Sequence, residues 1–443
     1  MMKRTVALCL SLFLLLGLSA CGTGAGDDAP KAFQVGFGRA SIHPTAPIAL
    51  AGYGGNTTTE RTFEGTLDYL YATCVAITDE NGETILLYTL DIINVITDWV
   101  PDFRAAVTEA TGVPAERIML SATHTHSAPD VLSAVSPNTP YYTVLKNGIV
   151  DAGKQAMADR AAATLGTTSA TVPMNCVRHY VQPDGMYFGD NFGKQDPAQK
   201  EGTKPVTESD KQMQLIRVTR EGDKKDIVMV NYQGHPKVAS TNGTYDGRQT
   251  RKMVSADYVG FTRMYLEEQE DVLFAFYLGA SGNLNPHDAS DPGTANPNMP
   301  QKVQDYSKML TGYITEAMAN TKEVATPTIK TKQTSFAGQL SGNRGERSME
   351  INAITMGDIS FVTVPFEMFD TNGMEVKTGS PTATTFVLSC ANGRFQYMPS
   401  QGVWDYKTVD GSVPYELSSC QFERGTGEAV AQELVNMLQE LAK

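Results

Sequence analysis

Short apolar runs that stop abruptly at a polar residue recur along this chain, and they constrain its fold more than any other feature. The clearest run is Arg117–Leu120, which is followed by His124-Thr125-His126 and then by Pro129. A short, mostly apolar run is typical of a buried strand, and proline does not continue a strand or a helix. The two histidines therefore lie where a buried strand ends and a loop begins, which in open α/β sheets is where ligand sites are usually built.

Strand-type runs alternate with helical patterns along the chain. The runs 70–78 and 84–91 are rich in Val, Ile, Leu and Tyr, and they flank an Asn-Gly pair that is typical of a hairpin. Residues 101–111 have helical spacing and precede the predicted strand 117–121, and the Ala-rich stretch 141–165 is predicted to be one long helix. This order predicts an α/β fold of mixed β-sheets with flanking helices and a metal site at strand ends.

Three further side chains of ligand type follow or end predicted strands. The apolar run 226–232 leads to His235, and the run 359–364 leads to Glu367. A second histidine in the same setting favours a metal shared between the histidines over separate structural roles. Asp91 ends another strand, where it could join the metal site, orient one of its histidines or cap the following segment.

Two loops of small residues have open interpretations. Ala51–Asn56 is rich in glycine, which lets the backbone approach a ligand closely, although a plain surface turn explains it equally well. Gly279–Gly282 follows a buried strand and could supply backbone amides to an oxyanion hole, or it could be a tight turn. The spacing is not Gly-x-Ser-x-Gly, so a serine-hydrolase elbow is not predicted.

The N-terminus has the pattern of a bacterial lipoprotein signal peptide, which we assign to residues 1–20. Lys3 and Arg4 precede Val6–Leu18, an apolar stretch that is shorter than the roughly 20 residues needed to span a bilayer. Small residues then lead directly to Cys21, the predicted site of lipid attachment. An acyl anchor would tether the protein to a membrane without a spanning helix.

The rest of the chain divides into a flexible tether, 21–32, and one folded domain, 33–443. No later segment is long and apolar enough to be a transmembrane helix. The net charge of −13 at pH 7 argues against nucleic acid, whose binding needs clustered Lys and Arg. We expect an extracytoplasmic protein anchored to a bacterial membrane at Cys21, with a small-molecule or lipid substrate and the membrane surface as its partners.

The folded domain contains four cysteines, Cys74, Cys176, Cys390 and Cys420. Outside the cytoplasm a disulfide can form, and Cys390–Cys420 is the first pair to test; four buried thiols are the alternative. None of the four forms a Cys-x-x-Cys pair, so a structural zinc-thiolate site is not predicted.

These segments together resemble the N-terminal catalytic domain of the neutral/alkaline, non-lysosomal ceramidase family. The most specific element is the Ala-Thr-His-Thr-His-Ser run at 122–127, and the resemblance covers nearly the whole chain from Val35 onward. The other matching segments, in the order of the family, are Gly234-His235-Pro236, Ser255–Gly260, Gly282–Pro286, Val364–Phe369, and Tyr397 with Tyr415-Glu416.

The resemblance implies one zinc ion held by two histidines, a glutamate and a tyrosine. The four ligands would be His124, His235, Glu367 and Tyr397. The resemblance also implies that His126 lines the catalytic site and that Arg178 and Tyr415 contact the substrate. Where the family has a loop serine implicated in catalysis, this chain has Asn285, which is therefore a further catalytic candidate and puts the emphasis on substrates other than ceramide itself.

Zinc chemistry is consistent with this set of residues. Zinc binds imidazole nitrogen and carboxylate oxygen and keeps a position for water in catalytic sites; ionisation of that water gives a hydroxide that attacks an amide carbonyl. His126 points to the same side as His124 if the chain is extended there, and it could act as acid/base or hold the oxyanion. A tyrosine ligand needs a nearby cation, because the free pKa of tyrosine is about 10.

The sequence thus predicts a zinc-dependent amidase that cleaves an N-acyl, ceramide-like substrate with zinc-bound hydroxide. Two alternatives stay open. The same zinc site could cleave an ester or a small peptide-like amide, or the protein could be a non-catalytic lipid- or solute-binding lipoprotein.

Overall fold

The computed structural model describes residues 32–52, 61–185, 187–188, 201–239, 244–245, 248–286, 300–325, 328–407 and 411–443. The predicted signal peptide, Cys21, nearly all of the tether and the second half of the loop Ala51–Asn56 lie outside the described residues.

The helices of the described residues lie between and after the strands. They are α1 (Val100–Thr111), α2 (Pro140–Ala158), α3 (Tyr258–Glu270), α4 (Pro300–Ala319), α5 (Asp370–Gly379), α6 (Tyr415–Ser419) and α7 (Thr426–Leu441). Among the residues that the structure describes, none of the helices combines the length and the apolar character that a membrane crossing requires.

The strands form one large mixed sheet, one four-stranded sheet and several short pairings. They are β1 (Gln34–Ser41), β2 (Gly65–Thr66), β3 (Tyr71–Thr78), β4 (Thr84–Leu90), β5 (Ile118–Ala122), β6 (Ala161–Thr171), β7 (Asn175–Val177), β8 (Tyr180–Val181), β9 (Tyr187–Phe188), β10 (Lys204–Pro205), β11 (Gln212–Arg220), β12 (Ile227–Tyr232), β13 (Thr244–Tyr245), β14 (Arg248–Gln249), β15 (Met253–Val254), β16 (Leu273–Leu278), β17 (Leu284–Pro286), β18 (Lys322–Val324), β19 (Ile329–Gln339), β20 (Glu346–Met356), β21 (Ile359–Thr363), β22 (Glu367–Met368), β23 (Thr384–Leu388) and β24 (Tyr397–Met398).

The large sheet has the strand order β16-β12-β11-β6-β1-β3-β4-β5, with β18 added beside β6. Its outer pairs, β12–β16 and β4–β5, are parallel, and the inner pairs are antiparallel. The hydroxyl of Thr89 on β4 donates to the carbonyl of Phe276 on β16 at 2.5 Å, and the hydroxyl of Tyr277 donates to the carbonyl of Leu87 at 3.1 Å. These bonds join strands from opposite ends of the order, so the sheet curves until its two ends meet.

The second sheet, β19-β20-β21-β23, packs on one face of the large sheet. Helices α1 to α4 cover the other face of the large sheet, and α5 and α7 cover the outer face of the second. The alternation of β4 shows how the layers form: Leu86 and Tyr88 point toward the helices, while Ile85 and Leu87 point toward the second sheet. Strands buried on both faces are apolar throughout, which explains the continuous apolar runs in the sequence.

The predicted α/β class with mixed sheets and flanking helices is confirmed. The hairpin of β3 and β4, helix α1 and strand β5 all form close to their predicted positions. The prediction of one long helix over 141–165 is wrong, because α2 ends at Ala158 and β6 begins at Ala161. Pairing of β6 with β1 and β11 overrides the helix propensity of its alanines.

Candidate metal centre

Three histidines converge where two strands of the large sheet end. His124 and His126 follow β5, and His235 follows β12. Each ring offers a nitrogen within 4.8 Å of the other two, and all three side chains are buried. The curvature of the sheet produces this meeting, because β5 and β12 lie near opposite ends of the strand order.

The segment that carries the first two histidines is not extended. His124 has a φ of 66°, in the left-handed region that non-glycine residues rarely adopt. The ring centroids of His124 and His126 are nevertheless 5.2 Å apart. The two rings therefore meet through a turn at His124, rather than through the alternation of an extended chain.

His124 is oriented by the backbone. Its Nδ1 lies 2.6 Å from the carbonyl oxygen of Ile93, so Nδ1 carries a proton, and in the neutral ring Nε2 carries the lone pair. Nε2 lies 3.3 Å from Oε2 of Glu367. Both of these atoms are buried and have no hydrogen-bond partner among the described residues. Two buried atoms that face each other without a hydrogen-bond partner are suited to share a cation, either a proton or a metal ion.

The pKa values of this pair favour opposite charges. Burial alone would lower the pKa of His124, but the Glu367 carboxylate and the Cys390 thiol raise it well above its usual value. Burial would likewise raise the pKa of Glu367, but the charges of His124 and Arg178 lower it. The pocket at Nε2 of His124 thus stabilises positive charge beside an ionised carboxylate.

His126 and His235 form a second contact, with 2.9 Å between their Nε2 atoms. Burial, followed by the positive charges nearby, lowers the pKa of each imidazole well below its usual value. Both rings are therefore neutral, and neutral imidazole is the form that binds a metal.

Glu367 and Tyr397 are brought together by two short strands. Strand β22 pairs in parallel with β24, and Glu367 stands directly opposite Tyr397 in the register. Burial and the neighbouring Glu367 carboxylate raise the pKa of the Tyr397 phenol well above its usual value. Tyr397 is therefore protonated in this arrangement, and a cation would be needed to make it a phenolate.

Arg178 connects the histidines to the rest of the site. Its Nη2 donates to Nδ1 of His235 at 2.8 Å, and its Nη1 donates to the Tyr397 hydroxyl at 3.3 Å. Its Nε donates to Oδ1 of Asn285 at 3.0 Å. Strand β7 pairs with β17, which places Asn285 beside the segment that leads to Arg178.

Tyr415 lies at the outer edge of this group. Its side chain is 66% exposed, and its ring centroid lies 5.6 Å from that of Tyr397. The structure thus gathers the eight metal-ligand and catalytic candidates that the resemblance implies, each in contact with another member of the set. They are His124, His126, Arg178, His235, Asn285, Glu367, Tyr397 and Tyr415.

Glu416 and His179 belong to the same network but were not selected from the sequence. Oε1 of Glu416 accepts from Nη1 of Arg178, and its Oε2 lies 3.0 Å from Nε2 of His179. Each is the chain neighbour of a selected residue, and that adjacency was the signal available. The contact between Glu416 and His179 depends on the packing of α6 against β24, and sequence spacing does not reveal this packing.

Cys390 is a third residue that sequence reasoning placed elsewhere. Its Sγ lies 3.6 Å from Nδ1 of His124, and all four cysteines of the folded domain are free thiols. Cys390 and Cys420, the pair that the sequence analysis put first for testing, are not joined by a disulfide in the structure. Cys390 is enclosed beside His124, while Cys420 contacts the carbonyl oxygen of Phe422. The alternative of four buried thiols holds for Cys74 and Cys390, whereas Cys176 and Cys420 are half-buried.

Asp91 has none of the roles proposed for it from the sequence. Its carboxylate pairs with the guanidinium of Arg263 at 2.9 Å and accepts from the backbone amide of Tyr71. It therefore neither orients one of the histidines nor caps the segment that follows it.

The structure also bears on the interpretations of the two loops of small residues. Gly52 has a φ of 112°, and a Cβ on it would collide with the side chain of His126, so the backbone at Gly52 approaches His126 closely. In the other loop, the amides of Gly279 and Gly282 donate to the carbonyl oxygens of Tyr232 and Met368. The oxyanion-hole interpretation is wrong for these two amides, since both are used by the turn.

Comparison with known proteins shows which solved structures have a similar fold. No protein-family model matches this sequence, and no curated protein matches it. Among solved structures, the fold is similar to that of neutral ceramidase from Pseudomonas aeruginosa, with a TM-score of 0.72 at 16% identity over 92% of this chain and 74% of that chain. A structure of ceramidase complexed with C2 matches with the same TM-score and identity, over 93% of this chain and 75% of that chain. The expected ceramidase-like fold is confirmed: this chain has the fold of neutral ceramidase, with a histidine cluster that could hold a metal.

Proposed function

We propose that this protein is a zinc-dependent hydrolase that cleaves the amide bond of an N-acyl substrate. The observation that carries the proposal is the convergence of three buried imidazoles on one point, with the Glu367 carboxylate 3.3 Å from Nε2 of His124. The likeness of the fold to neutral ceramidase supports the reaction class.

The donor atoms suit zinc. His124 and His235 would supply imidazole nitrogen, Glu367 a carboxylate oxygen and Tyr397 a phenolic oxygen, and nitrogen and oxygen donors are ligands that zinc accepts. Oxygen-only sets favour magnesium or calcium instead. Zinc bound there would lower the pKa of a water molecule and polarise the carbonyl of the scissile amide.

The remaining side chains would handle the substrate. His126 is neutral, and a neutral imidazole beside the proposed ligands could accept a proton from water and return it to the leaving amine. Arg178 can donate hydrogen bonds to the developing oxyanion. Tyr415, exposed at the edge of the site, would pack against the apolar part of the substrate.

Asn285 favours a substrate other than ceramide. Its amide oxygen accepts a hydrogen bond from Nε of Arg178, and an amide side chain is not a nucleophile. Attack by water is therefore the reaction that these residues support. The same residues can hydrolyse an ester or a small peptide-like amide. The identity of the acyl donor is therefore what a substrate panel must determine.

The test combines metal analysis with a substrate panel. Purified protein should contain about one zinc ion per chain, and it should hydrolyse at least one N-acyl lipid, N-acyl amino acid or ester in a panel. A chelator should abolish turnover, and added zinc should restore it. Protein that binds no zinc, or turnover that is insensitive to chelator, would refute the proposal, whereas bound zinc with no turnover on any substrate would favour the non-catalytic binding lipoprotein.

We further propose that the enzyme acts at a membrane surface, held by a lipid on Cys21. Metabolic labelling with a radioactive or alkyne-bearing fatty acid should mark the wild-type protein in a bacterial host. Cys21→Ser should remove the label and release the protein from the membrane fraction. Equal labelling of both proteins would exclude Cys21 as the site of attachment.

A further inference from the structure

Glu416 is a buried carboxylate that the proposed reaction does not use. Its Oε1 accepts from Nη1 of Arg178 at 3.0 Å, and its Oε2 lies 3.0 Å from Nε2 of His179. Burial would raise the pKa of Glu416, but its contacts with His179 and Arg178 outweigh burial and hold it well below its usual range. Glu416 is therefore ionised, with both oxygens bonded.

The partner of Glu416 faces the proposed metal ligands. Nη2 of Arg178 lies 2.8 Å from Nδ1 of His235, and Nη1 lies 3.3 Å from the Tyr397 hydroxyl. Arginine remains charged at any pH that proteins tolerate. An uncompensated guanidinium at this position would repel a divalent cation, and burial would strengthen the repulsion because the interior screens charge weakly.

We propose that Glu416 is a positioning residue that allows the site to bind its metal. It neutralises the charge of Arg178 and fixes the guanidinium so that the same Nη1 reaches Tyr397. His179 holds the second oxygen and so fixes the carboxylate itself. This inference rests on the proposed zinc site, and it assigns to Glu416 an effect on metal affinity rather than on chemistry.

A purely structural ion pair would behave differently. Removal of either partner of a buried pair destabilises the fold whether or not a metal binds nearby. Glu350 offers a matched control, because its two oxygens bond the guanidinium of Arg104 at 2.8 Å, away from the histidines. Glu416→Gln and Glu350→Gln each remove one carboxylate charge from an arginine, and only the first faces the proposed ligands.

The experiment measures zinc affinity by competition with a chromophoric chelator, without any substrate. We expect Glu416→Gln to bind zinc about 10- to 100-fold more weakly than wild type, as is usual when a group that supports metal ligands is removed. Glu350→Gln should bind zinc as wild type does. Glu416→Asp, which keeps the charge, should restore zinc affinity to within about threefold of wild type.

Each result has one meaning. Equal zinc affinity of Glu416→Gln and wild type overturns the inference while leaving the proposed function intact, and so does an equal loss in both glutamine variants. If Glu416→Gln does not fold, a tenfold or greater loss in Glu416→Asp overturns the charge argument by itself, and retained affinity supports it. Wild-type protein that binds no zinc would refute the proposed function, and this inference with it.

Discussion

Two groups of buried or half-buried charged side chains differ in how completely their carboxylates are bonded. The first, which we call the distal ion cluster, consists of Arg39, Asp91, Arg263 and Glu267. Both carboxylates of this cluster have every oxygen hydrogen-bonded to a guanidinium or to a backbone amide. The second is the histidine centre, where Oε2 of Glu367 and Nε2 of His124 have no hydrogen-bond partner among the described residues.

The difference separates structure from binding. A buried carboxylate that is fully bonded needs no further partner, so the distal ion cluster holds β1, β4 and α3 together. A buried carboxylate that faces an unsatisfied imidazole nitrogen is costly unless a cation joins them. A carboxylate therefore contributes to stability in one place, and in the other it belongs to a cluster that could hold a metal.

The sharpest way to break this comparison is to remove the unsatisfied atoms. His124→Ala and Glu367→Ala should each weaken zinc binding by more than about 100-fold, because each removes a direct ligand rather than a supporting group. Metal content after dialysis and chelator competition would measure the loss. Zinc bound at wild-type affinity in either variant would contradict the assignment of that residue as a ligand.

Substitution of His126 tests whether the three histidines have different roles. If it transfers protons and is not a ligand, His126→Ala should lower kcat by about 10²- to 10⁴-fold. Zinc affinity should stay within about fivefold of wild type, since His124, His235 and Glu367 remain. Steady-state kinetics and chelator competition on the same preparation would measure both. A loss of zinc as large as that of His124→Ala would make His126 a ligand instead.

The distal ion cluster should respond in the opposite way. Arg263→Met leaves Asp91 buried without its main partner, and such a loss costs about 3–5 kcal/mol of unfolding free energy. Urea denaturation of the metal-free protein would measure the change. Zinc affinity should be unchanged, so a variant that loses zinc but not stability would invert the comparison.

The ion pair of Arg104 and Glu350 is more exposed, and we expect its loss to have the smallest effect on stability. Burial would raise the pKa of Glu350, but the hydrogen bond and the charge of Arg104 outweigh burial and lower it. A lowered pKa stabilises the folded state above the unfolded value of about 4.3, and this stabilisation is lost as the pH falls through the folded value. The free energy of unfolding of the wild type should exceed that of Glu350→Gln by about 1 kcal/mol at pH 7. The gap should shrink between pH 5 and pH 3 in urea denaturation; a constant gap would contradict the pKa shift.

Much of the fold was accessible from local patterns. The strands β3, β4 and β5 were predicted because strands buried on both faces must be apolar along nearly their whole length. Helix α5 was missed, since two glycines within Asp370–Gly379 lower its propensity and only packing against α7 supports it. The boundary between α2 and β6 was missed because alanine is compatible with both, and strand pairing made the choice.

The histidine centre was predicted more fully than its surroundings. Placement after strands favoured a metal shared by His124, His126 and His235 and added Glu367 as a further ligand-type side chain, and the family resemblance implied the ligand set. The role of Asp91 could not be predicted in this way. Asp91 also ends a strand, but in the structure its carboxylate pairs with Arg263 on α3.

The sequence by itself determined which segments are strands and which ligand-type side chains follow them, because burial and turn chemistry act over a few neighbouring residues. Only the tertiary structure decided which of those side chains meet. The curvature of the large sheet brings β5 beside β16, the neighbour of β12, and long-range partners then satisfy Asp91, enclose Cys390 and pair Glu416 with Arg178. These outcomes depend on contacts between residues far apart in the chain, and local spacing carries no information about such contacts.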